Sequence, residues 1–250
     1  NVLVDYKSQR MRKYFSNFKN QIIFSNSHLD LDYEDNKFEL YLKSKYSINN
    51  VNENVSLNVK KNDNKYFFDF DLDLDGAEIL IDELDYIKKA DKKSKLILSG
   101  IYKDNNEIIF DNIEFNEEKK KIIFQNLEIG KNDKIKNIDL FKINLINKKE
   151  KKNILEFKKV NKNFYLTGSH FDGSKNIKNF LDNSSKTIFS NFKNLNNYIY
   201  IDIGKYLIND EDYLSNVRGE IEIRNNKIFN SKIDAKLNKK RKFKLSILTN

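Results

Sequence analysis

The chain has no cysteine, proline or tryptophan among its 250 residues, and it has only two histidines and seven glycines. Without cysteine it cannot form disulfides, thiolate metal sites or a cysteine nucleophile. The absence of proline, beside abundant lysine, asparagine, isoleucine and aspartate, is typical of an AT-rich coding sequence. The frequency of any single residue type therefore carries little information about function.

Sequence motifs of catalysis and cofactor binding are also missing. His28 and His170 lie far apart, and neither belongs to an HExxH or a Ser-His-Asp type pattern. The glycines form no GxGxxG, phosphate-binding loop or GxSxG elbow. We therefore predict that the chain is not an enzyme and binds no cofactor.

Long apolar runs are absent as well. No window approaches the roughly 18 apolar residues that a membrane-spanning helix requires, and the N-terminus lacks the pattern of a signal peptide. The chain begins at Asn1 and ends in an alternating pattern that resembles an interrupted strand. We expect it to be a segment of a larger protein whose anchor or export signal lies elsewhere.

The formal net charge of +9 permits attraction to nucleic acid or anionic lipid. Arginine, the residue best suited to base and phosphate contacts, is confined to five positions, namely 10, 12, 218, 224 and 241. The lysines alternate with acidic residues rather than forming a basic face, so we predict no nucleic-acid binding. The basic runs 148–152 and 239–242 fit solvated turns, with anionic headgroup contact as the alternative.

What the chain does have is period-two alternation, with 19 Phe and 13 Tyr to supply a core. Residues 68–75 read Phe-Asp-Phe-Asp-Leu-Asp-Leu-Asp, which places apolar and acidic side chains on opposite faces of a strand. Similar runs recur throughout, separated by Asn-rich breaks such as 225–226 and 238–240 that suit hairpin turns. Further strands are predicted over 95–101, 107–115, 121–129 and 135–146.

This pattern predicts a mostly β fold, a large curved antiparallel sheet of amphipathic strands that forms an open groove or a sandwich. One or two short helices are expected, at 77–89, where a strand is the alternative, and at 172–182, where Asp172 or Ser174 is the candidate cap. We expect one β-rich segment over 1–250, with a subdivision into 1–160 and 161–250 as the alternative.

One short motif matches the opening of a calcium-binding loop. Residues 71–76 (DLDLDG) fit D-x-[DN]-x-[DN]-G, but the twelfth position is Asp82 and not the bidentate glutamate. Leu72 and Leu74 also continue the alternation that begins at Phe68. We therefore interpret the motif as the acidic face of a strand that ends in a glycine turn, and we predict no metal site.

Three passages resemble the AsmA-like family of bacterial envelope proteins, in particular its YhdP branch. They are residues 84–89 followed by the strand 96–100, residues 166–174 leading into the second predicted helix, and the closing hairpins over 198–203, 213–223 and 227–237. The resemblance covers about two thirds of the chain and rests on degenerate patterns.

The resemblance implies a periplasmic β-rich bridge, tethered to the inner membrane outside this segment, whose hydrophobic groove conducts phospholipid toward the outer membrane. Phospholipid acyl chains are the implied partner. The alternative is a structural or adhesive β-module of a cell-surface protein, in which the same apolar rows pack on each other. The candidate groove residues are Phe38, Leu40, Leu42, Phe68, Phe70, Leu72, Leu74, Ile199, Ile201, Ile203, Ile221 and Ile223.

Overall fold

The computed structural model describes residues 2–5, 14–15, 21–35, 37–48, 51–175 and 191–249. These residues are mostly β, which confirms the predicted fold class. Contacts within the chain separate two compact units, unit 1 over Asn1–Ile123 and unit 2 over Phe124–Asn250. Each unit is described on its own.

Unit 1 is built from antiparallel strands that mostly follow one another as hairpins. The main sheet has the order β1-β2-β3-β4-β5-β8-β9, and β6 pairs with β7 in a separate two-stranded sheet. Asp63, Asn106 and Glu118 adopt positive φ in turns between strands, a conformation that short polar side chains tolerate best. The strands are β1 (Val2–Asp5), β2 (Gln21–Glu34), β3 (Lys37–Ile48), β4 (Val51–Asn62), β5 (Lys65–Asp73), β6 (Ile79–Ile81), β7 (Tyr86–Lys88), β8 (Ser94–Lys103) and β9 (Glu107–Glu117).

Unit 2 begins within strand β10 (Lys120–Ile129). Its sheet has the order β10-β12-β13-β14-β15-β16-β17-β18, and β11 pairs with β10. The strands after β10 are β11 (Ile135–Asn137), β12 (Leu140–Ile146), β13 (Lys152–Val160), β14 (Asn163–Asp172), β15 (Asn197–Leu207), β16 (Tyr213–Arg224), β17 (Lys227–Leu237) and β18 (Arg241–Leu248). The subdivision suggested at 160/161 coincides with the turn of the β13–β14 hairpin.

The expectation of a wholly antiparallel sheet needs one correction, because β14 and β15 pair in parallel. A parallel pair requires a long connection, and the segment between Asp172 and Asn197 supplies it. The C-terminal meander is confirmed, since β15 to β18 are antiparallel neighbours. Asn225 and Asn226 both have positive φ, as the predicted tight hairpin turn requires.

The predicted helix over 77–89 is wrong, and its strand alternative is confirmed. Strands β6 and β7 occupy this region and are joined by a 3-10 turn over Asp82–Leu84, after which Asp85 adopts a left-handed conformation. The spacing of apolar residues over so short a segment does not distinguish a helix from two short strands. Of the second predicted helix, residues 176–182 lie outside the described residues.

Candidate functional site

The six candidate residues on β3 and β5 lie on one face of the unit 1 sheet. Strand β4 lies between them and contributes three apolar residues to the same face. Cross-strand register aligns Leu40 with Val59 and Phe68, and Leu42 with Leu57 and Phe70. We call this surface the apolar face, defined by Phe38, Leu40, Leu42, Val55, Leu57, Val59, Phe68, Phe70 and Leu72.

The apolar face is open in part to solvent. All nine of its residues except Val55 are half-buried, and β2 extends the face with side chains that are more exposed still. Leu29, Leu31 and Tyr33 are 58%, 61% and 69% exposed, and they pair in register with Leu42, Leu40 and Phe38. Large apolar side chains are therefore presented to water side by side on neighbouring strands, an arrangement that marks interaction surfaces in soluble proteins.

One ring pair extends the face on the side of β8 and β9. Phe68 meets Phe110 edge to face, with ring centroids 5.9 Å apart. Gly100 lies opposite Phe68 in β8, and a Cβ there would stand 2.1 Å from the Ile109 carbonyl oxygen. Only glycine fits this position without displacing backbone. Because it has no side chain, the face has a shallow depression beneath the Phe68 ring.

One end of the apolar face is closed by a group of buried polar side chains that we call the polar cap: Tyr46, Glu53, Tyr86, Lys88 and Glu117. Lys88 is fully buried, and its Nζ donates to the carbonyl oxygens of Leu74, Asp75 and Ala77. Tyr86 donates to Glu117, and the Gly76 N–H donates to Glu53. The cap thereby ties the small β6–β7 sheet to the ends of β4, β5 and β9.

Burial controls the ionisation of the polar cap. It raises the pKa of Glu53 although hydrogen bonds from Tyr46 and the Gly76 N–H oppose the shift. Burial lowers the pKa of Lys88, against the attraction of Glu53 and Asp75. The pKa of Tyr46 and that of Tyr86 are raised, mainly by burial.

The Tyr46 hydroxyl oxygen contacts both Glu53 Oε2 and the Asp73 carbonyl oxygen. The hydroxyl has one proton, and a carbonyl oxygen can only accept. The Tyr46 hydroxyl therefore directs its one proton toward two acceptors, and it links β3 to β4 and to the end of β5.

The opposite end of the apolar face carries an aromatic row formed by Phe38, Tyr66 and Tyr102. Ring centroids are 6.1 Å apart between Phe38 and Tyr66 and 6.0 Å apart between Tyr66 and Tyr102. Both tyrosines combine an apolar ring with a polar hydroxyl, which suits a boundary between apolar surface and water. The two ends of the face are thus chemically different.

Most of the remaining candidate residues are buried, whereas the sequence predicted that they line a groove. Leu74 is 1% exposed beneath the polar cap, and in unit 2 Ile199, Ile203 and Ile223 are 3%, 3% and 1% exposed. These four side chains present almost no surface to a ligand. Ile201 and Ile221 are half-buried and share the face of the three buried isoleucines.

In unit 2 the isoleucine rows are enclosed by neighbouring strands and by apolar partners. Ile199 lies between Phe164 and Ile221, and Ile203 lies between Gly168 and Val217. Phe164 and Val217 are themselves buried. The row of unit 2 therefore packs as a core, in contrast to the apolar face of unit 1.

The other face of the unit 1 sheet is charged, and its lysines pair with carboxylates on adjacent strands. Lys95 Nζ lies 2.8 Å from Asp71 Oδ2, and Lys121 Nζ lies 2.7 Å from Glu114 Oε1. Cross-strand pairing of this kind disperses the positive charge. It gives no clustered basic surface at these positions.

Asp71 and Asp73 of the calcium-like motif lie in strand β5. Asp73 Oδ2 accepts a hydrogen bond from the Asn54 amide, and Asp75 Oδ1 accepts one from the Ser94 N–H. In the described part of the chain no three His, Cys, Asp or Glu side chains converge as metal ligands. The acidic side chains of the motif instead bond to neighbouring strands and turns.

Reasoning from the sequence missed the polar cap and the β2 extension. Leu29, Leu31 and Tyr33 alternate with acidic residues and follow the rule applied to β5, so this extension was detectable. The only sign of Glu53 in the sequence is that a charged residue stands two positions before Val55, on the same face of the strand. Lys88 left no signal, because its three carbonyl partners approach it only in the fold.

Among the described residues, none of the helices has the length and apolarity that crossing a bilayer requires. The chain matches no family model, no curated protein and no solved structure. The resemblance to AsmA-like proteins therefore stays a prediction, as do the periplasmic location and the inner-membrane anchor.

Proposed function

We propose that the chain is a lipid-binding segment whose apolar face in unit 1 holds phospholipid acyl chains. The observation that carries this proposal is the row of apolar side chains in register across four strands, half-buried on β3, β4 and β5 and 58–69% exposed on β2. A continuous apolar strip without a deep pocket suits a ligand that slides along it. In the AsmA-like setting that the sequence suggests, the segment forms part of a periplasmic path for phospholipid between the two membranes.

The energetics favour an acyl ligand. Burying a methylene group contributes roughly 0.8 kcal/mol, so even a short stretch of acyl chain on the face gains several kcal/mol before the cost of ordering it. The half-buried residues of the apolar face and its exposed β2 extension supply the area, and the charged opposite face keeps that side of the sheet in water. The polar cap marks where the strip ends.

Adjacent phenylalanines on opposite faces of β5 allow a matched test. Phe68 lies on the apolar face, and Phe67 is 39% exposed on the other face. We expect native mass spectrometry of the chain purified from a bacterium in mild detergent to show bound phospholipid. Phe68→Asp should lose the lipid and Phe67→Asp should keep it.

Circular dichroism of both variants establishes that each is folded. A folded wild-type chain without lipid would contradict the proposal. Equal lipid content in Phe68→Asp and Phe67→Asp would contradict it as well, because the apolar face would then not be the binding surface.

A second candidate function is a structural β-module with a closed core. The observation that favours it is the near-complete burial of Ile199, Ile203 and Ile223 in unit 2. If this description held for the whole chain, lipid extraction would yield nothing, and Ile201→Asp would unfold the protein without altering any ligand. Lipid that copurifies and depends on Phe68 separates the two candidates.

A further inference from the structure

A lysine lies at one end of the apolar face. Lys61 follows Val55, Leu57 and Val59 on the same side of β4, and it lies between Phe38 and Tyr66 in the cross-strand register. It is the only cation on this side of the sheet within β2–β5, β8 and β9 of the described chain. A charged side chain at an apolar position is costly unless it is paired or reaches water.

Lys61 contacts an aromatic ring. Its Nζ lies 5.6 Å from the centroid of the Tyr66 ring, within the range of a cation–π contact. Among the described residues it forms no ion pair with a carboxylate. The neighbouring Lys60, on the opposite face, lies 3.4 Å from Glu39 Oε2. Lys61 is therefore positioned to interact with an external anion.

The apolar strip that starts at Lys61 has the length of a lipid tail. From Lys61 back to Val55, β4 covers about 20 Å at about 3.3 Å per residue, and half of a bilayer's hydrocarbon core is about 15 Å. Beyond Val55 lies the polar cap, where Tyr46 and Lys88 are buried. A tail that runs from Lys61 toward Val55 meets the half-buried Val59 and Leu57, and it ends where Val55, 5% exposed, packs in a core cluster with Tyr46.

Given the proposed function, on which this inference rests, we infer that Lys61 and the aromatic row bind the phosphate end of a phospholipid. The acyl chains then lie over Val59, Phe68 and Leu72 with their methyl ends toward the polar cap. The ammonium of Lys61 supplies the positive charge for the phosphodiester. Tyr66 and Tyr102 provide the amphipathic boundary that aromatic residues form at membrane interfaces.

A comparison of two lipids with identical tails isolates the phosphate. Dioleoylphosphatidylglycerol and dioleoylglycerol are each used to displace a fluorescent acyl probe from the full chain. We expect the wild-type chain to prefer the phospholipid by about fivefold, which corresponds to about 1 kcal/mol for a partly solvated charge pair. Lys61→Met, which keeps an apolar side chain of similar length, should abolish the preference, and Lys60→Met should retain it.

The outcomes separate this inference from the proposed function. If the wild-type chain binds both lipids equally, or if Lys61→Met keeps the preference, the headgroup site is wrong while acyl binding stands. If neither lipid displaces the probe, the proposed function fails and the headgroup site fails with it.

Lipid orientation gives a second measurement that does not depend on Lys61 variants. Because the chain has no cysteine, single cysteines introduced as Tyr33→Cys and Leu29→Cys, at exposed positions of β2 opposite Phe38 and Leu42, can each carry a fluorophore. A nitroxide on the lipid headgroup should quench the label at position 33 more strongly, and a nitroxide at the tail end should quench the label at position 29. The reversed pattern, or equal quenching at both positions, would overturn the inferred orientation.

Discussion

Replacing Lys88 with methionine is expected to weaken unit 1 substantially, because this lysine holds the polar cap together. Its side chain is 0% exposed, and Nζ lies 2.6 Å from the Asp75 carbonyl oxygen and 2.8 Å from that of Ala77, with Leu74 as a third acceptor. Methionine preserves the length and apolar volume of the side chain. It removes the charge and all three donated hydrogen bonds.

The size of the effect follows from what methionine leaves behind. The Asp75 carbonyl oxygen still accepts a hydrogen bond from the Asp91 N–H at 2.9 Å. The Leu74 carbonyl oxygen still accepts one from the Ala77 N–H at 3.2 Å. The Ala77 carbonyl loses the bond from Lys88, and the buried carboxyls of Glu53 and Glu117 lose the nearby positive charge. Leaving a buried acceptor without its donor costs about 1–3 kcal/mol, so we expect destabilisation within that range.

Hydrogen exchange measures this loss locally, which matters because two compact units need not unfold together. Amides of residues 74–77 and 86–88 should exchange roughly 5- to 150-fold faster in Lys88→Met, since each 1.4 kcal/mol is a factor of ten. Lys89→Met is the matched control, because Lys89 is exposed. If the two variants exchange alike, or if Lys88→Met costs less than about 1 kcal/mol, the role assigned to Lys88 is refuted.

Two further predictions concern ionisation and burial. Burial raises the pKa of Glu53 above 4.5, so the unfolded carboxyl ionises first and this group lowers the stability of the fold as pH rises from 4.5. Glu53→Gln should therefore gain stability relative to wild type over that range in urea unfolding at a series of pH values, and a pH-independent difference would contradict the argument. Ile203→Ala should cost about 2–5 kcal/mol because Ile203 is buried in unit 2, whereas Leu31→Ala in the open β2 extension should change stability by less than about 0.5 kcal/mol. Equal costs in denaturant titration would mean that both rows are core.

Strand β5 shows what the alternation of apolar and polar residues predicts by itself. Phe68, Phe70 and Leu72 alternate with aspartates, and the structure places these apolar side chains on one face because successive residues of a strand point to opposite sides. The same rule identified β8, β9 and β10 within a few residues of their ends. The predicted 135–146 strand is divided into β11 and β12, a break that its composition did not reveal.

The helix predicted over 77–89 failed for a local reason. Ile81, Leu84 and Ile87 have helical spacing, yet β6 and β7 are only three residues long each, so the pattern holds too few positions to distinguish the two periods. Their conformation is stabilised by Lys88, which donates hydrogen bonds to carbonyl oxygens between β5 and β6, and by Tyr86, which donates one to Glu117 in β9. Tertiary contacts thus decided the local structure.

The sequence by itself determined which side chains share a face, since period-two alternation is a property of each strand alone. It also determined the hairpin turns at asparagine pairs, because positive φ is a local preference. Whether an apolar row stays open or becomes core depends on what lies across from it, and only the tertiary structure decided this. Ile203 and Phe68 look alike in sequence, but Ile203 is buried between its neighbours and Phe68 is only half-buried, because burial depends on packing partners that are distant along the chain.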